Sequence, residues 1–96
     1  MKNYVEQMVC EIEKKLSEKL ETEIVVGFDF EAITLHYTNS MNVLGVSVTT
    51  EKICIDNDIR CSFEIGMNYS DLIYDEYEDE YIFKYENGMS ISIALI

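Results

Sequence analysis

The chain opens with Val5, Met8, Val9, Ile12, Leu16 and Leu20 recurring at spacings of three and four. That apolar stripe predicts an amphipathic helix over residues 4 to about 21, its stripe facing a core. Asn3 stands in N-cap position with Glu6 three residues later, the spacing of a capping box. Glu11 and Lys15 lie on the polar face at i,i+4 in the favourable order. After Glu23 the period falls to two. Ile24, Val26, Phe28 and Phe30 alternate with Val25, Gly27 and Asp29, which predicts a strand with one buried face. Ile33, Leu35 and Tyr37 continue the alternation. Asp29-Phe30-Glu31-Ala32 holds little turn chemistry, so two strands and one long bent strand both fit this stretch.

Thr38-Asn39-Ser40-Met41-Asn42 is turn chemistry between two alternating runs. A hairpin here sets Tyr37 opposite Leu44, Leu35 opposite Val46 and Ile33 opposite Val48, all apolar and all on one face. Further on, a three-residue loop at Asp56-Asn57-Asp58 opposes Ile55 with Ile59 and Ile53 with Cys61, with Asp58 left-handed. In that register Cys54 and Cys61 point to opposite faces. Near the end, a loop at Glu86-Asn87-Gly88 opposes Tyr85 with Met89, Phe83 with Ile91 and Tyr81 with Ile93, and assigns positive φ to Gly88. Residues 68–80, polar and rich in acids, read as a loop or a short helix. Ile93, Ala94, Leu95 and Ile96 are apolar enough to tie the last strand into the sheet. The fold class predicted is α+β, an N-terminal helix packed on a largely antiparallel, meander-like β-sheet.

Length makes this one domain, residues 1–96, with a thin core. A hydrophobic share of 48% is too high for a disordered chain. No apolar run reaches the roughly 18 residues that span a bilayer, and charges interrupt the apolar residues at the N-terminus, unlike a signal peptide. A cytoplasmic location is expected. Cys10, Cys54 and Cys61 form an odd set without CxxC spacing, which predicts reduced thiols rather than a disulfide framework or a zinc site. Charge changes the picture most. Nineteen acids against seven bases give a net charge of −12. Such a field repels nucleic acid and anionic membrane and attracts basic proteins.

The densest chemistry is the run from Asp71 to Tyr81. Asp71, Asp75, Glu76, Glu78, Asp79 and Glu80 are interleaved with Tyr74, Tyr77 and Tyr81, with no base among them. Carboxylates meet lysines and arginines on a partner, and tyrosine supplies rigid contact area with a polar tip. The partner-binding candidates are therefore Asp71, Tyr74, Asp75, Glu76, Tyr77, Glu78, Asp79 and Glu80. The plainer reading is a solvated segment whose tyrosines pack inward. Asp56-Asn57-Asp58 resembles the start of a calcium loop, but Arg60 stands where a ligand belongs and the glycine is missing, so it reads as a turn. His36 is the only histidine and reads as a surface or half-buried strand residue. No nucleophile elbow, Walker loop or dinucleotide fingerprint is present, and nothing calls for a cofactor or metal. No catalytic residue is assigned.

In size, acidity, absence of catalytic motifs and Ile/Glu/Asn/Tyr-rich usage, the chain resembles small phage-encoded anti-CRISPR inhibitors, the acidic run Asp75-Glu-Tyr-Glu-Asp-Glu80 being a kind of surface rather than a signature. The resemblance implies a protein that blocks a basic, nucleic-acid-binding site on a CRISPR effector nuclease, in the host cytoplasm. An immunity protein that neutralises a nuclease toxin follows the same logic. A self-assembling structural protein is the alternative of another class, for which exposed sheet edges are the sign.

Overall fold

The computed structural model describes residues 4–18, 20–59 and 63–95. It consists of helix α1 (Tyr4–Glu18) and seven strands, β1 (Glu23–Phe30), β2 (Leu35–Val48), β3 (Lys52–Asn57), β4 (Phe63–Gly66), β5 (Asp71–Asp75), β6 (Glu80–Lys84) and β7 (Met89–Ala94). The strands form an antiparallel sheet in the order β4-β3-β2-β1-β7-β6-β5. Two meanders, β1 to β4 and β5 to β7, are thus joined where β1 pairs with β7. The α+β class expected from the sequence is what the chain adopts.

This sheet must curl. Laid flat, seven strands at about 4.8 Å spacing put the outer two about 29 Å apart. Yet β4 and β5 are those outer strands, and residues 67–70 connect them. Five Cα steps of 3.8 Å reach at most about 19 Å. Bending is concentrated in β2, whose residues 35–42 pair with β1 and whose residues 43–48 pair with β3, with a bulge between Val43 and Gly45. Such a strand carries the chain from one half of the sheet to the other. The concave face holds one continuous core of Ile24, Val26, Met41, Val43, Ile53, Ile55, Ile65, Leu72, Tyr81, Phe83, Ile91, Ile93 and Leu95. Met8, Ile12 and Leu16 of α1, at i, i+4 and i+8, close it from above.

The described helix runs to Glu18, and Leu20, inside the expected helix, is instead exposed in a parallel bridge to Val43. Asn3 lies outside the described residues, as do the side chains of Val5 and Glu6. The chain reverses at a 3₁₀ turn, Glu31–Ile33, closed by the Thr34 N–H donating to the Glu31 carbonyl at 3.1 Å. Residues 38–42, expected to turn, run straight through as strand. Leu35 therefore pairs with Phe30 and Tyr37 with Phe28, while Val46 pairs with Ile55 and Val48 with Ile53. The inward positions do switch from odd (Met41, Val43) to even (Val46, Val48), as the sequence shows. A bulge makes that switch instead of a turn, and it expels Leu44, 55% exposed.

The β3–β4 pair keeps the expected faces but slides. Ile55 opposes Phe63 and Ile53 opposes Ile65, because β3 continues to a buried Asn57 and the connection lengthens. Asp58 is not left-handed; Glu21, Thr34 and Asp79 are the non-glycine positive-φ residues among those described. Cys61 lies outside the described residues. Cys54 faces away from the core as expected. The last hairpin forms in the expected register, Tyr81 with Ile93 and Phe83 with Ile91. Tyr85 N–H donates to the Met89 carbonyl at 2.9 Å, and Gly88 has φ +92°. Residues 68–80 are neither a loop nor a helix but the start of another hairpin, β5 with β6.

Candidate interaction surface

The acidic run is built into that β5–β6 hairpin. Asp75 opposes Glu80, and residues 76–79 connect them. Asp75 Oδ1 accepts the Tyr77 N–H at 3.0 Å, an Asx turn that fixes the reversal. Asp79 closes it at φ +49°, a conformation aspartate tolerates better than most residues. Glu76, Tyr77 and Glu78 project into solvent, Tyr77 being 95% exposed. Strand alternation directs Leu72 and Tyr74 inward and puts Asp75 and Glu80 opposite each other on the outer face. Like charges directly opposed across a strand pair are destabilising.

Tyr74 and Asp79 go to the inside. Tyr74 Oη donates to Asp79 Oδ1 at 2.8 Å, and Lys15 Nζ donates to the same oxygen at 3.3 Å. The ammonium sits 4.7 Å from the centroid of the Tyr74 ring and 5.0 Å from that of Tyr81. The two rings lie 4.6 Å apart. Desolvation works against the Lys15 charge, but its bonding to Tyr81 and Asp79 outweighs it and holds the pKa well above the ordinary lysine value. Tyr74 is pushed up by its bond to Asp79, and Tyr81 is pushed up by burial. Tyr81 Oη also donates to Glu11 Oε1 at 3.2 Å. The helix thus sends both Glu11 and Lys15, a predicted i,i+4 pair, into the hairpin. Lys15 was missed because helical spacing shows only partners on the same helix.

The eight candidate residues therefore separate. Glu76, Tyr77 and Glu78 form the tip, with Asp75 and Glu80 at its base. Tyr74 and Asp79 anchor the hairpin to α1. Asp71 lies at the far end of β5, about 13 Å from Asp75 at strand rise, where its Oδ1 accepts the Leu72 N–H at 2.9 Å.

Elsewhere, Asp58 accepts both the Asn42 N–H and its Nδ2–H, at 2.9 and 2.8 Å, and these bonds lower its pKa. Asp58, read from the sequence as part of a turn, is thus a clasp on β2. His36 Nδ1 lies 2.5 Å from Asp29 Oδ1. The outer face carries the row His36, Asp29, Ser90, Lys84, Asp71 across five strands. It contains the residue types of a nucleophilic triad in an order that does not assemble one. Asp29 separates His36 from Ser90 by two strand spacings, about 10 Å, too far for proton transfer. A cleft of about 480 Å³ between the edge of β4 and the β6–β7 hairpin is floored by Phe28, Met89 and Ile91. Among the described residues no group of three His, Cys, Asp or Glu side chains converges on a metal position, and no helix is long and apolar enough to cross a membrane. Comparison with family models, curated proteins and solved structures returned no match to this chain.

Proposed function

We propose that this chain is an acidic protein-binding inhibitor that covers a basic, nucleic-acid-binding site on a partner, a CRISPR effector nuclease being the kind its composition suggests. The observation that carries this reading is the β5–β6 tip. A 95% exposed tyrosine stands between two glutamates on a four-residue turn whose base is anchored to the helix. A braced turn costs little ordering entropy on binding. Its carboxylates occupy the places of phosphates on a basic surface and steer the encounter, and Tyr77 provides the contact that governs dissociation. The opposed Asp75 and Glu80 lose their mutual repulsion when a cation comes between them.

The test is binding kinetics and displacement of bound nucleic acid, run on a panel of CRISPR effectors and toxin nucleases. Glu76→Gln with Glu78→Gln lowers the on-rate and flattens its salt dependence, the fold being unchanged by circular dichroism. Tyr77→Ala raises the off-rate, at a cost of about 2 kcal/mol for an anchoring hot spot. Displacement from a toxin nuclease alone assigns the immunity role instead. Kinetics identical to wild type in both variants overturn the tip as the binding surface.

A further inference from the structure

Three strand edges of this sheet are open among the described residues: those of β4, β5 and the first half of β2, where residues 35–41 have β1 on one side and no described strand on the other. An open edge is a template for another chain, and folds usually blunt it with charge. The β4 edge carries Glu64, ion-paired with Lys52 at 3.2 Å, and its Gly66 carbonyl is taken by the Tyr85 hydroxyl at 2.8 Å. The β5 edge carries Asp71 and Asp75. The β2 edge carries no such charge, although Asn39 Oδ1 holds its Ser40 N–H. Residues 32–50 hold no Asp, Glu, Lys or Arg in a chain that is 27% charged. Residues 31–38 are exposed without interruption, and Ile33, Leu35 and Tyr37 are 65%, 42% and 50% exposed.

From this contrast we infer that two copies of the chain pair through β2, antiparallel and two-fold about Thr38. Acids on β5 favour a basic partner and repel another copy of a −12 chain. The neutral edge permits a copy. The hydrogen-bond phase agrees. Val43 N–H donates to the Thr22 carbonyl at 3.0 Å, and the Asn42 carbonyl accepts from Asp58 N–H at 3.3 Å. Odd residues of β2 thus bond toward β1, and His36, Thr38 and Ser40 direct their amides outward. An antiparallel pairing about Thr38 opposes Thr38 with Thr38 of the second copy and His36 with its Ser40. Every outward residue meets an outward residue. On the other face of the sheet Leu35 opposes Met41, which the single chain already buries, and Tyr37 opposes Asn39, so the exposed Leu35 and Tyr37 gain cover and no like charges meet. Asn39 Oδ1 holds the Ser40 N–H at 2.9 Å in the single chain and yields it to the second copy. An isologous edge is consumed on both copies, so assembly stops at the dimer.

Sedimentation equilibrium over a wide concentration range tests this. The expected result is a concentration-dependent mass approaching twice the 11.2 kDa of one chain, favoured by added salt as repulsion is screened. Thr38→Glu places two carboxylates face to face on the axis and returns the protein to monomer, with its circular dichroism unchanged. Independently, in a chain whose three cysteines are serine, Thr38→Cys joins two copies through a short thiol-reactive cross-linker and Glu86→Cys does not. A single-chain mass at every concentration, growth beyond two copies, a dimer that survives Thr38→Glu, or equal cross-linking at both positions overturns the inference.

Discussion

Lys15→Met isolates the contact that anchors the acidic hairpin to the helix. Methionine keeps the buried part of the lysine stem and removes only the ammonium. The bonding to Asp79 and to Tyr81 is lost, and with it the position over two rings. The ion pair with Asp79 joins side chains that are each about a third exposed, so solvent limits it to about 0.5 kcal/mol. The position over the Tyr74 and Tyr81 rings adds about 0.5–1 kcal/mol. Asp79 is not orphaned, because the Tyr74 hydroxyl still donates to it. The expected loss is therefore about 1–1.5 kcal/mol, a fall in Tm of about 5–10 °C for a domain of this size. Urea unfolding of wild type, Lys15→Met, Asp79→Asn and the double variant measures the coupling between the two residues. The difference between wild type and Lys15→Met also depends on pH. A group whose folded pKa is raised contributes fully below its unfolded value, 10.5 for lysine, and loses that contribution as pH rises toward the folded value. The gap between the two proteins should narrow above pH 10.5. A melting temperature unchanged by Lys15→Met, or a gap that widens in alkali, refutes the reasoning.

Gly88→Ala should destabilise the fold by about 1 kcal/mol, because the residue sits at φ +92° while a Cβ there meets nothing within 4 Å, so the cost is backbone strain rather than a clash; thermal unfolding reads it. Asp58→Asn should remove an acid-sensitive part of the stability: the depressed Asp58 pKa contributes above the ordinary carboxylate value and is lost as pH falls through the folded one, so the variant's unfolding curve should be flatter in acid than that of wild type.

Legibility tracked whether a residue's conformation followed from its own chemistry. Asn87-Gly88 carries a turn in its residue types, and the face test on Tyr81, Phe83, Ile91 and Ile93 set the register that forms. The β1–β2 reversal carries none. Thr34 is β-branched and sits at φ +53°, a conformation such residues rarely adopt, so tertiary pairing of β1 with β2 imposes the turn there. The odd-to-even switch along β2 was visible, but a turn and a bulge produce the same switch. Choosing between them requires the partner strands. In the candidate site, the sequence grouped Tyr77, which is 95% exposed, with Tyr74, which packs on Tyr81. The inward roles of Tyr74 and Asp79 depend on Lys15, more than fifty residues earlier in the sequence. Residues 71–75 were obscured by their terminal aspartates, which lower strand propensity although Leu72, Ile73 and Tyr74 alternate correctly.

The two proposed surfaces are compatible on electrostatic grounds. A chain of charge −12 opposes its own association, and this opposition depends on where the charges lie relative to the contact. Between β2 and β5 stand β1, β7 and β6, so the two edges are four strand spacings apart, about 19 Å along the sheet. At physiological ionic strength the Debye length is roughly 8 Å. Carboxylates of the β5–β6 tip are therefore largely screened from a second copy docking on β2, while they remain fully effective toward a basic surface that touches the tip. Pairing through the opposite edge also leaves both tips of the dimer uncovered. Two tips held on one particle raise the effective concentration of the second wherever a partner offers two basic sites within reach. The absence of charge along β2 and its concentration on β5–β6 thus describe one division of the sheet, with one edge suited to a like molecule and the other to an unlike one.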